Sequence, residues 1–473
     1  MCYTLPKIWQ ERVPKYWEKY MPANYPNSTS EFSFKFDTAD ETAAVQTFEE
    51  QLGTDESVVP GIIGEDNYMS DYFGTYDVKG EAGVPTLLSP EKIETDGEIV
   101  ALHLEDGEWK KIEDIEVKDG YVWGTLESFS PIAIIAFKRD IEEAETYWHK
   151  NAAKCIVANG NPIKVYTDDE DKIQVESLAS GKKIALGDNN VIIGGTIDGT
   201  KVDETKITVI GVENESLGIY AGSCCYIDPE NEDEAPIITT NKSTVVEVVD
   251  SKIRAITGQG GRVHNEFLKI IVKNSSAKSH IACGETYNSK TNKDVNSVDG
   301  SDLGFGSNGW CKKAVIDCDN ASTMLLFTGG NTGYTFTHET ELSIRNSKID
   351  YCIGGGSNGK TDAVKMDITN MESQIFQTNN RGTVGEVTAK IADSNIQNLF
   401  VFGDATDQTV TGTTLGPVAI DIAKGTYDIK IGTQGGATAT NADPVKFVKY
   451  SRSADVTIDA DAAAILGSKL ISK

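Results

Sequence analysis

One degenerate repeat limits what this chain can fold into: two apolar residues flanking one other, a short turn, then a second apolar cluster. It reads Val246-Glu247-Val248…Ser251…Ile256, Ile270-Ile271-Val272…Ser275…Ile281, Ile316-Asp317-Cys318…Ala321…Leu326, Leu342-Ser343-Ile344…Ser347…Cys352, Ala389-Lys390-Ile391…Ser394…Leu399 and Ile420-Asp421-Ile422…Gly425…Ile431. A weaker copy, Met366-Asp367-Ile368…Ser373…Phe376, requires a turn two residues longer. With Ser251, Ser275, Ala321, Ser347, Ser373, Ser394 and Gly425 as turn positions, the intervals are 24, 46, 26, 26, 21 and 31 residues. Short strands at such a period, with no helical segment between them, predict a β-solenoid, whose coils bury their apolar faces only by stacking on neighbours. Alternation then sends Val246, Val248, Leu342, Ile344, Ile420 and Ile422 inward and the residues between them outward.

Glycine doublets at Gly194-Gly195, Gly260-Gly261, Gly329-Gly330 and Gly435-Gly436, and the triplet Gly354-Gly355-Gly356, follow or interrupt the strand-like runs. They are expected at corners that need positive φ. A phosphate-cradling loop would need a strand before, a helix after and a Lys at fixed spacing, and no glycine cluster has these in order.

Composition narrows the partners. The 473 residues leave room for several domains. A formal net charge of −28 argues against nucleic acid and against an anionic membrane surface, because both are bound through Lys and Arg. No run approaches the ~18 uninterrupted apolar residues of a membrane span, and the first twelve residues, Met1 to Arg12, lack the apolar core of a secretory signal. Synthesis in the cytosol is therefore expected, with the eight cysteines (Cys2, Cys155, Cys224, Cys225, Cys283, Cys311, Cys318 and Cys352) reduced. No pair of CxxC motifs suggests a zinc site.

Along the chain, residues 1–83 read as an aromatic-rich, poorly periodic attachment arm, with a helix expected over residues 38–52. Residues 84–138 carry short alternating strands around Ile99 to Leu104, Gly107 to Ile112, Tyr121 to Leu126 and Ile132 to Ala136, as in a small antiparallel β-sandwich. Residues 139–160 read as a helical connector or cap, with a helix over 140–154 capped by Asp140. The parallel β-helix is expected over 161–460 and a short helical cap over 461–473. The fold class is thus all-β, a C-terminal parallel β-helix behind a small Ig-like sandwich and an irregular arm.

The run Leu104-Glu105-Asp106-Gly107-Glu108-Trp109-Lys110-Lys111-Ile112, then Val117 to Val122 and Ser128-Phe129-Ser130-Pro131-Ile132-Ala133-Ile134, resembles a β-sandwich module of surface proteins and phage virion proteins of gut Firmicutes. That resemblance implies a spacer or display domain without catalytic residues. The C-terminal repeat resembles the parallel β-helices of phage tail spikes, phage fibres and bacterial adhesins. It implies a virion appendage that binds, and in some members cleaves, surface polysaccharide.

Glycan-cleaving β-helices place paired carboxylates on neighbouring outer rungs, where a spacing of about 4.8 Å sets their separation. The outward column Glu247, Ile271, Asp317, Ser343, Asp367, Lys390 and Asp421 offers Asp317 and Asp367 as the catalytic candidates, two rungs and roughly 10 Å apart. The same column also reads as a ladder of solvated charges, which is the default for an outer face. His103, His149, His264, His280 and His338 are scattered, and His280 falls on an apolar position. The insertion from Glu285 to Trp310 holds Asp294, Asn296, Asp299, Ser301 and Asp302, oxygen ligands at alternating spacing without the Glu that closes an EF-hand loop, so a polar surface loop is the better reading. Phe305 and Trp310 in this stretch are the expected sugar contacts.

These features lead to a non-enzymatic structural virion protein without a cofactor. The arm attaches to other virion proteins of the capsid or tail, the sandwich spaces, and the β-helix projects toward a host glycan as a homotrimer. The alternatives are a tail-spike polysaccharide depolymerase using Asp317 and Asp367, and a bacterial surface adhesin.

Overall fold

The computed structural model describes residues 58–64, 66–78, 81–106, 108–128, 131–148, 151–224, 239–260, 263–284, 310–330, 334–356, 358–380, 382–404, 413–434 and 436–473. The expected helix over 38–52 lies outside them. The protein is all-β, and it divides into two compact units, Met1–Asp140 and Ile141–Lys473.

In the first unit a one-and-a-half-turn helix, α1 (Val58–Ile63), precedes seven strands: β1 (Asn67–Asp77), β2 (Pro85–Leu87), β3 (Glu98–Glu105), β4 (Glu108–Lys111), β5 (Ile115–Lys118), β6 (Tyr121–Thr125) and β7 (Pro131–Arg139). They form two antiparallel sheets, ordered β1-β7-β3-β4 and β2-β6-β5. The apolar run of β7 has both faces covered, as its lack of alternation demands. Ile132 and Ile134 join Val122 and Leu88 between the sheets, while Ala133 and Ile135 join Val100, Trp109 and Ile63 of α1 on the far side. The sandwich thus begins earlier than residue 84. β1, read from sequence as part of the arm, pairs with β7 along its length, and two register shifts between Met69 and Gly74 obscure its alternation.

The second unit opens with a correction. Where a helix was expected over 140–154, Glu142–Trp148 (β8) and Asn151–Val157 (β9) form an antiparallel hairpin with Glu142 opposite Val157 and Ala144 opposite Cys155. The Ala and Glu content favours a helix, but Cys155, Ile156 and Val157 are all fully buried, so consecutive residues are needed on opposite faces. Only a strand supplies that, and tertiary burial outweighs propensity.

Beyond the hairpin the chain alternates between two rows of parallel strands. Row A stacks Ile163–Thr167, Glu204–Ile210, Thr239–Val249, Val263–Lys273, Trp310–Asp319, the first part of Tyr334–Ile353, the first part of Asn358–Ser373, Thr383–Ala392, Val418–Ile422, Val445–Tyr450 and Leu470–Ser472. Row B begins at β9 and runs through Val191–Ile193, Glu213–Tyr220, Lys252–Thr257, Ser276–Gly284, Ser322–Gly330, the end of Tyr334–Ile353, Ile375–Gln377, Ser394–Phe400, Gly425–Lys430 and Ala454–Ile458. Between the rows lies one continuous apolar core, and it contains Val246, Val248, Leu342, Ile344, Ile420 and Ile422, as the alternation predicts.

The first passage, from Thr167 to Val191, carries two short antiparallel strands, Ile173–Ser177 and Lys183–Ala185, and six of the later passages from row A to row B are two-residue corners. The first residue of each corner is left-handed, with φ between 49° and 54° at Asp250, Asn274, Asn320, Asn346, Asn370 and Asp393. Asn and Asp tolerate this region better than other side chains. Their side chains also stack, Asn370 donating to Asn346 at 2.9 Å and Asn320 to Asn274 at 3.0 Å. The second residue is a serine at Ser251, Ser275, Ser347 and Ser394, and its hydroxyl serves two rungs at once. Ser275 Oγ accepts the backbone N–H of Ser251 at 3.0 Å and donates to the carbonyl of Lys273 at 2.6 Å. Ser347 treats Ala321, and Ser394 treats Met371, in the same way. The turn position of the weak repeat is therefore Met371 and not Ser373, and no longer turn is needed. In the last copy Ile429, not Ile431, continues the column after Leu399. Gly425 has no hydroxyl, and the phenol of Tyr427 takes the vacant place, accepting from Ser394 N at 3.3 Å and donating to Lys424 O at 2.9 Å.

The passages from row B back to row A hold every long excursion of the chain after Tyr220. The glycines here act through space and not, as expected, through positive φ, which among the described members of the doublets and the triplet belongs to Gly436 alone. A Cβ on Gly258 would meet Cys283 O at 2.4 Å, and one on Gly194 would meet Ala221 O at 2.1 Å.

The far end is closed by α2 (Ala460–Leu466), capped by the Asp459 carboxylate, with Ala462 and Leu466 packed on the core. The helix expected over 461–473 ends there, and Leu470–Ser472 returns to row A as its last strand.

Candidate functional site

The outward column of row A runs Thr208, Glu247, Ile271, Asp317, Ser343, Asp367, Lys390, Asp421 and Lys449 on successive rungs. Asp317 and Asp367 are two rungs apart, with Ser343 between. Arg345, two residues after Ser343 on the same strand, reaches the first of them: Nη2 lies 2.8 Å from Asp317, Nη1 donates to Ser343 Oγ at 2.7 Å, and Nε is 3.5 Å from Asp319. Asp317 is thus engaged by a guanidinium through a charge-assisted hydrogen bond. Neighbouring charges are matched too, Lys273 with Glu247 at 3.0 Å, Lys313 with Glu341 at 3.1 Å, and Lys473 with Asp421. This column has the features of a solvated charge ladder.

A different surface occupies the start of the same strands. The outward positions opposite one another there are Thr240, His264, Trp310, Phe336, Lys360 and Thr383. Three adjacent rungs therefore carry rings, about 4.8 Å apart. A fourth ring, His338, stands between the paired positions Thr337 and Glu339, and it joins the others edge to face: 5.6 Å and 84° from Trp310, 4.4 Å and 76° from Phe336. His264 packs on Trp310 at 5.8 Å, and the Lys360 ammonium lies 5.2 Å from the Phe336 ring centre. Asp362 binds His338 Nδ1 at 2.8 Å through one oxygen and Lys360 at 3.0 Å through the other.

A buried network anchors this cluster from behind. Thr244 donates to Asn265 at 2.8 Å, Asn265 donates to Gln259 at 2.8 Å, and Gln259 donates to the backbone carbonyl of Trp310 at 3.0 Å. Thr244, Asn265 and Gln259 are each at most 1 % exposed. A buried network satisfied in this way fixes geometry, because in a low dielectric each broken bond is costly. The indole N–H of Trp310 has no hydrogen-bond partner among the described residues and is closed off from water. Burial holds His264 below the usual histidine range, so its ring is neutral near pH 7.

Trp310 was singled out from sequence, and it sits within this cluster. Phe305, Asp294, Asn296, Asp299 and Asp302 lie outside the described residues. Sequence reading missed His264, Phe336 and His338, which stand 46 residues before and 26 and 28 after Trp310. The strand register could have found them, because Trp310 is six residues before Ile316, as His264 is before Ile270 and Phe336 before Leu342. Among the described residues no group of three or more His, Cys, Asp or Glu side chains is placed to hold a metal ion. Cys155, Cys224, Cys283, Cys311, Cys318 and Cys352 are free thiols, and burial pushes those of Cys155, Cys283 and Cys318 up to about 12. They act as small apolar groups and not as nucleophiles. No protein-family model, curated protein or solved structure matches the chain.

Proposed function

We propose that residues 141–473 form a parallel β-helix and that the protein is a structural appendage of a phage virion, displaying this β-helix to a host surface. The observation that carries the reading is the in-register stacking of eleven strands in each of two rows, spanning roughly 48 Å at about 4.8 Å per rung. Such a unit is a rod built to hold surface features at fixed intervals. The antiparallel sandwich before it suits a spacer, and residues 1–57 are the natural candidates to dock on capsid or tail proteins. Assembly as a homotrimer belongs to the same reading.

Cleavage of polysaccharide is the weaker alternative, because Arg345 already engages Asp317. The test is immunogold electron microscopy of phage particles from lysed host cultures, using an antibody against this chain. Gold on capsid or tail supports the reading and says which end carries the protein. Unlabelled particles beside labelled cells would overturn it in favour of a surface adhesin.

A further inference from the structure

We propose that the outer face around Trp310, Phe336 and His338 is a binding site for a neutral saccharide. The proposal rests on the attachment reading above and gives it a chemistry. On the outward positions of row A, His264, Trp310 and Phe336 follow one another on three rungs, and His338 packs edge to face on the last two. A flat apolar face beside hydrogen-bonding groups is what a sugar ring needs, since its C–H bonds pack on aromatic carbon while its hydroxyls find partners at the edge.

Both parts are present. Trp310 and Phe336 are partly exposed and directly opposite in register, so a chain lying along the rungs would meet one ring after the other. The side chains of His338, Lys360 and Asp362 are 33 %, 46 % and 37 % exposed and flank the rings. Asp362 uses one oxygen for His338 and one for Lys360. Each carboxylate oxygen keeps a lone pair for a hydroxyl, because a carboxylate has about four acceptor sites. The buried indole N–H of Trp310 makes the same point from the other side. An unsatisfied buried donor carries a desolvation cost that a phenylalanine in the same place would not. The indole contributes its ring area here; the network through Gln259 and Asn265 fixes the backbone that carries it, and His264 and His338 pack on the ring itself.

Charge decides between neutral and acidic saccharides. Lys360 is already matched by Asp362, and Lys313 by Glu341, so both of these cations beside the rings are neutralised. The chain as a whole carries −28, a field that repels a polyanion.

The test is affinity electrophoresis of the full chain in native gels containing dextran, galactomannan or yeast mannan, with alginate as the acidic polysaccharide. Retardation by at least one neutral polymer and none by alginate is expected. Trp310→Ala should weaken it about tenfold and Phe336→Leu by a smaller factor, as loss of ring contact predicts. Asp367→Asn, on the same row but outside the site, should leave it unchanged. If Trp310→Ala does not fold by circular dichroism, Phe336→Leu and Asp362→Asn carry the comparison. No retardation of the unmodified chain by any neutral polymer, retardation by alginate alone, or full retardation of the ring variants would each overturn the site. Gold-labelled virions without retardation would remove the saccharide site and leave the appendage standing. Retardation with unlabelled particles would do the reverse.

Discussion

The two units solve the same problem, covering apolar strands, with opposite connectivity. In the sandwich every strand pair is antiparallel, and β7 is sealed on one face by a second sheet and on the other by Ile63 and Trp109. In the parallel unit the strands of one row are covered by those of the other, and each inner rung by the rung before and the rung after. The sandwich core is therefore finite and closed, whereas the parallel core could gain or lose a rung without changing kind. What differs physically is where a local defect is felt. A defect in the sandwich is shared by the whole core, whereas one in the stacked rows is felt first by adjacent rungs.

The largest break should come from the interior. Ile316→Ala, at a fully buried position of row A, should cost about 3 kcal/mol and lower only the unfolding transition of the parallel unit in calorimetry. Ile134→Ala should act likewise on the sandwich alone. A common shift of both transitions by either variant would refute the division between them.

Next in size is the corner hydroxyl. Ser275→Ala should cost about 1–3 kcal/mol, because the N–H of Ser251 loses its acceptor while remaining buried. Hydrogen exchange should show the loss at Ser251, 24 residues earlier, more than at residue 275 itself.

Acid sharpens the comparison through one histidine in each unit. Burial lowers the folded pKa of both His103 and His264 beneath the ordinary histidine value of 6.5. The unfolded chain then takes up protons that the folded chain refuses, so stability is full above pH 6.5 and falls as pH drops below it. Thermal melts at pH 7.5 and 5.5 should show both transitions moving down, and His264→Gln should reduce that movement in the parallel unit alone.

The smallest effect is expected at Asp317→Asn, about 0.5 kcal/mol in denaturant titrations, because the pair with Arg345 is partly solvated. A loss of several kcal/mol there would mean that the charge ladder contributes more than solvated pairs do.

The same contrast governs what could be read from sequence. The interior of the parallel unit was legible because Val-x-Val and Leu-x-Ile pairs recur, and each copy checks the others. Its errors came where residue chemistry was preferred to spacing. Ser373 looks like a corner residue, but Met371 stands three residues after Ile368, as Ser347 does after Ile344. Residues 140–154 were misread because Ala and Glu carry a helix preference, and the opposing signal is the unbroken burial of Cys155, Ile156 and Val157. β1 escaped notice because its register shifts break the alternation that marks a strand. Of the ring cluster, Trp310 could be picked out by its type. Its companions follow only once the rungs are aligned, since nothing in the 25 residues before Phe336 other than strand register links it to Trp310.

The serine corners have a direction. The amide of Ser251 waits for a hydroxyl 24 residues later, that of Ala321 for one 26 residues later, and that of Ser394 for the phenol of Tyr427, 33 residues on. A chain emerging from the ribosome therefore completes these corners only when a later one has been made. Addition of coils is directional there, the earlier corner exposing an unfilled donor that a later segment satisfies.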